Sequence, residues 1–175
     1  MIELQDISNF NKINDYIPIF NGALLADIIV LYIVYYTSFF NSKYLMKWYE
    51  TYRLSAVIAD VFILIIGIII ARYIYYYIFK VFSVFKFTGL VVVIQIIHDL
   101  LFYLFFNSIP RGTNVMFDMF KDYAKEVSSG AILGDSFMII IATISSMLFA
   151  NLSLNSNIIW CISLIYLIPY ILYTR

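Results

Sequence analysis

The chain has 175 residues, 63% of them hydrophobic and 13% charged, with a mean hydropathy of +0.91. Soluble domains carry about 25% charged residues, so this apolar load exceeds what one water-soluble core can hide. Eleven basic residues against eleven acidic ones exclude the basic surplus of a nucleic-acid binder, and Cys161 as the single cysteine excludes an intrachain disulfide or a cysteine-built zinc site. The expectation is an all-α, polytopic transmembrane helical bundle forming one domain, residues 1–175, with the lipid bilayer as its solvent.

The first twenty residues hold acids where the basic region of a cleavable signal would stand, so no such signal is expected. Ile7, Phe10 and Ile13 can share one face of a short surface helix. Crossing about 30 Å of hydrocarbon takes roughly 20 apolar residues, and five stretches qualify: Ala23–Phe40, Leu54–Phe79, Val84–Phe106, Ala131–Ala150 and Ile158–Tyr173. All should be helices, because lipid offers the backbone no hydrogen-bond partners. The last is short and carries Pro169, which leaves open a four-span alternative with a re-entrant final segment.

With the N-terminus on side A, the basic residues of side B are Lys43, Lys47, Arg53, Arg111, Lys121, Lys125 and Arg175, against Lys12, Lys80 and Lys86 on side A. The positive-inside rule then places side B and the C-terminus in the cytoplasm and the N-terminus in an extracytoplasmic or lumenal space. Trp48, Tyr49 and Tyr52 mark the B interface; Tyr73, Tyr75, Tyr76, Tyr77 and Trp160 mark the A interface. The sequon Asn151-Leu152-Ser153 lies on side A, too close to the membrane for modification to be expected.

The longest loop, Asn107–Gly130, lies on side B. Pro110 and Gly112 stop the third span, and Thr113 is the expected cap of a helix over residues 114–127. There Met116, Met119, Phe120, Tyr123 and Val127 face one way, and Asp118, Lys121, Asp122, Lys125 and Glu126 the other. This pattern predicts an interfacial amphipathic helix on the cytoplasmic leaflet.

Ionisable groups inside spans cost roughly 2.5–3.5 kcal/mol each, so each requires a reason. Asp27, Asp60, Asp99 and Asp135 fall one to a span, with His98 and Arg72. At 1.5 Å rise per residue, Asp60, Asp99 and Asp135 lie roughly 9, 10 and 6 Å from side B. Three carboxylates and an imidazole from three helices thus occupy one layer. Asp27 and Arg72 lie at similar depth on side A and are expected to form an intramembrane ion pair. The B-side layer has three readings. It can be structural, with Arg53 or Arg111 as basic partner. It can be an ion or proton site, or it can hold a divalent metal of the hard Mg²⁺ or Mn²⁺ type. His98 and Asp99 are adjacent and point about 100° apart around a helix, which weakens a shared focus. Small residues in the second span (Ala56, Ala59, Gly67, Ala71) and the fourth (Ala131, Gly134, Ala142, Ser145, Ser146) suit close helix packing. There is no phosphate loop, nucleophile elbow, HExxH or CxxC, so no catalytic residue and no organic cofactor is predicted.

Thirty-two isoleucines against nine alanines indicate an AT-rich genome. The run from His98 to Ser136, with its HD, PRG, MFDMFKDYAKE and GDS elements, resembles uncharacterised multi-spanning membrane proteins of large nucleocytoplasmic DNA viruses. It covers about a quarter of the chain. The resemblance implies a virion inner-membrane or viral assembly-membrane protein and brings no catalytic residues. On the sequence, the first expectation is therefore a non-enzymatic structural or assembly protein, whose partners are lipid, copies of itself or other membrane proteins. The alternatives are a small ion or proton channel or transporter using Asp60, His98, Asp99 and Asp135, and a metal-dependent membrane enzyme acting on lipid.

Overall fold

The computed structural model describes residues 3–39 and 42–173, and all its regular elements are helical. A 3₁₀ turn, Ile13–Asp15, leads into α1 (Tyr16–Tyr36); α2 (Lys43–Tyr52), α3 (Leu54–Ile78), α4 (Val84–Ser108), α5 (Val115–Val127), α6 (Gly130–Phe149) and α7 (Leu154–Leu172) follow. Five of these helices, α1, α3, α4, α6 and α7, are long and apolar enough to cross a membrane. This is a multi-pass membrane protein, with its N-terminal segment at end A and α2 and α5 at end B.

α1 is the central helix. Its buried residues, from Pro18 through Tyr35, run round every face, the pattern of a helix enclosed by others. It packs chiefly on α6 and next on α7 and α3. The contact with α6 is close because Gly22 has no side chain: a Cβ there would lie 2.2 Å from Ser146 Oγ and 2.5 Å from the Ala142 carbonyl oxygen. Asn21 donates its amide to Asn157 on α7, 2.9 Å to the backbone oxygen, and Asn157 in turn donates to the Phe149 carbonyl at 3.0 Å. Small residues and amide pairs are the usual adhesives where lipid supplies no hydrophobic drive between helices.

Several boundaries differ from those expected. The first span begins at Tyr16, not Ala23, because Asp15, Pro18 and Asn21 read as loop residues although all three are buried. Its expected end, Phe40, lies outside the described residues, as does Arg175. Pro18 sits in the first turn, where its missing N–H costs nothing. Residues 3–12 form no surface helix: Ile7 is fully buried while Ile13 is 77% exposed, and the segment lies across end A, with the Gln5 amide donating to the Met147 carbonyl. Asn151 of the sequon donates to the Glu3 carbonyl at 2.7 Å. α7 is one continuous helix, with Pro169 in its last turn, so the re-entrant alternative falls away. The cap of α5 is Asn114 rather than Thr113, its side chain accepting from the Met116 and Phe117 amides. α2 is a second amphipathic helix beside the expected α5, and it buries Trp48 and Tyr49, so these rings are core residues rather than interface markers.

Candidate functional site

α2 and α5 lie together across end B. Glu126, near the C-terminus of α5, takes the start of α2 as a fork: Ser42 Oγ donates to it at 2.7 Å, and the Lys43 and Tyr44 amides at 3.0 and 3.1 Å. Although burial alone would raise the Glu126 carboxyl, these donors prevail and hold it below its ordinary value. Trp48 and Phe120 pack ring to ring, 5.0 Å between centroids. On the outer side, Arg111 donates to Asp122 at 2.7 Å, and this bond holds the Asp122 carboxyl low.

Inside this cover, bounded by α3, α4 and α6, is a cavity of about 940 Å³. Asp60 of α3, His98 and Asp99 of α4 and Asp135 of α6 all line it, so the layer expected from helix rise is one shared wall. Trp48 Nε1–H donates to Asp60 at 3.0 Å. Gln95 Nε2 donates to Asp99 Oδ1 at 2.7 Å, and His98 Nδ1 lies 3.1 Å from the same oxygen. The adjacent pair thus bond to each other despite their angular separation, with Gln95 one turn back on Asp99. The other Asp99 oxygen, Oδ2, is buried without a donor. Asp135 has Asp99 and Asp60 as its acting charges. Among the described lining residues there is no Lys or Arg. Arg53, expected as a partner, donates instead to the Leu172 carbonyl at 3.2 Å, and Arg111 faces Asp122.

Asp27 belongs to this end as well. The Tyr49 hydroxyl donates to it at 3.2 Å and is also within the influence of Asp60. Burial and these two acids keep the Tyr49 phenol well above its usual value, and burial with Asp135 and Asp60 does the same for Tyr123. Both rings are therefore neutral hydroxyls facing acids. The expected Asp27–Arg72 pair is not formed, because α1 begins earlier than expected and Asp27 lies mid-span. Arg72 sits 3.6 Å from Asp15, donates to the Asn9 and Lys12 carbonyls and stacks over Tyr16, 4.9 Å from its ring centre.

Among the described residues no three His, Cys, Asp or Glu side chains come close enough together to hold a metal ion between them. Sequence reasoning missed Trp48, Tyr49, Gln95 and Tyr123 as parts of the site. Gln95 and Asp99, four residues apart on one helix, were a visible signal. So were the apolar positions 44, 45, 48, 49 and 52, which repeat at helical spacing. Protein-family models, curated proteins and solved structures contain no match to this chain.

Proposed function

We propose that the protein binds a cation or proton at the end B cavity and moves it, as a small channel or transporter. One observation carries this reading: carboxylates from three helices line one cavity with no Lys or Arg among its described lining residues. Like charges held close in a low dielectric require a proton, a cation or a base between them. Arg53 and Arg111 are engaged elsewhere, so a proton or a mobile cation fills this place. The basic residues gathered at end B support a cytoplasmic position for it. A purely structural or viral-assembly role, the first expectation from the sequence, would gain nothing from a cavity of this kind. A metal-dependent lipid enzyme is less well supported, because among the described residues no three metal-ligating side chains come within reach of one ion.

The test is flux in proteoliposomes. Proton or sodium flux is expected from the unmodified protein and should fall to background in the combined Asp60→Asn, Asp99→Asn, Asp135→Asn variant. Flux that persists in the triple variant, or absence of any flux from the unmodified protein, would sink the reading.

A further inference from the structure

The cavity walls specify the kind of cation. Taking the cation site above as given, the carboxylates share its wall with Trp48, Phe102, Phe106, Phe117 and Phe120, and Trp48 itself donates to Asp60 at 3.0 Å. Asp99 stands three to seven residues deeper along α4 than Phe102 and Phe106, roughly 5–10 Å by helix rise. The rings are mutually packed, with Phe102 5.3 Å from both Phe106 and Phe120 between centroids. An inorganic ion would leave these aromatic walls unused. The volume, about 940 Å³, lies at the upper end of the roughly 300–1,000 Å³ typical of pockets for drug-sized ligands. Aromatic faces also attract cationic centres directly.

A second observation points to an occupant. Asp99 Oδ2, in the cavity wall, is buried with no donor. A buried carboxylate oxygen without a partner is costly, and a cationic centre beside it removes that cost. We propose that the cavity takes an organic cation, an ammonium- or phosphonium-type centre held by Asp60, Asp99 and Asp135 with its apolar body against the rings.

The experiment uses the full chain in phosphatidylcholine nanodiscs, carrying Trp160→Phe so that Trp48 is the only indole. Trp160 is on the lipid-facing surface, away from the cavity. Tetraphenylphosphonium is titrated and Trp48 emission is read; tetraphenylborate, of the same shape and opposite charge, is the control. The expected result is a saturable change with the phosphonium, none with the borate, and at least tenfold weaker binding in Asp60→Asn and Asp135→Asn. Equal response to both ions, or a response that never saturates, overturns the proposal in the protein with all its carboxylates, whatever the variants do. Folded Asn variants that bind as tightly overturn it too. Carboxylate-dependent proton or sodium flux without phosphonium binding would leave the cation site standing and remove the organic occupant. Absence of both would remove both.

Discussion

At end A, Arg72 and Asp15 lie side by side beneath the N-terminal segment; at end B, Asp60, Asp99 and Asp135 share a cavity wall with neither Lys nor Arg in its described lining. Both ends bury ionisable groups, but end A brings opposite charges together and end B brings like charges together. Opposite charges allow the chain to close over them: one guanidinium nitrogen of Arg72 donates to the Asn9 and Lys12 carbonyls, and Ile7 and Ser8 are fully buried. Like charges keep their surroundings open. There the chain spans the gap with two helices, joined at Glu126 and through Trp48 and Phe120, and leaves space beneath. The two ends of the bundle are thus distinguished by whether the charges placed in them are opposite or like.

The largest effect should come from breaking the balance at end A. Arg72→Met removes the buried guanidinium and leaves Asp15 with Lys12, 2.9 Å away, as its remaining basic partner, so the cost should lie toward the lower end of the roughly 3–5 kcal/mol for breaking a buried pair. Thermal unfolding in nanodiscs should show a large fall, and protease should cut near Lys12 as the segment lifts. An unchanged melting temperature would mean that this pair does not seal the end. Next in size is Gly22→Ala, which forces a Cβ against Ser146 Oγ and a carbonyl that cannot swing aside. Overpacking of this kind costs about 1–3 kcal/mol. Ser146→Ala should restore only part of it, since the Ala142 carbonyl remains.

At end B the sign should reverse. Asp135→Asn removes a like charge from beside Asp99 and Asp60 and should stabilise the folded protein by roughly 0.5–2 kcal/mol while lowering the proposed flux. Destabilisation by Asp135→Asn in alkaline buffer would show that the carboxylate is held by a partner after all, and the contrast between the ends would fail.

Much of this contrast was legible before the structure. Long apolar runs located α3, α4, α6 and α7 closely, and helix rise alone placed Asp60, Asp99 and Asp135 in one layer. What was not legible depended on residues whose chemistry contradicts their location. Asp15, Pro18 and Asn21 look like loop residues, which hid the first two turns of α1 and with them the mid-span position of Asp27. α2 is only ten residues long, too short for a span and polar enough to pass for a loop, so Trp48 and Tyr49 were read as interface rings. The carbonyls that hold Arg72 belong to Asn9 and Lys12, outside any long helix, and no periodic pattern announces them.

The smallest effect concerns the cover rather than the cavity. Glu126 is held below its ordinary carboxyl value by the donors at the start of α2. A group depressed on folding stabilises fully above its unfolded value, about 4.3 for Glu, and loses that contribution as pH falls through the lower folded value. Hydrogen-exchange protection at the Lys43 and Tyr44 amides should therefore hold from neutral pH down to about 5 and decline below about 4.3. Glu126→Gln should show the weakened protection already at neutral pH. Asp122 is also held low, by Arg111, and its bond is lost in the same acid range. It ties α5 to the loop before it rather than to α2, so the Gln variant separates the two. The effect should be modest and weaker in salt, because Glu126 is exposed and its charge is screened. Protection that survives in acid, or that is unchanged in Glu126→Gln, would mean that the Trp48–Phe120 contact alone holds the cover closed.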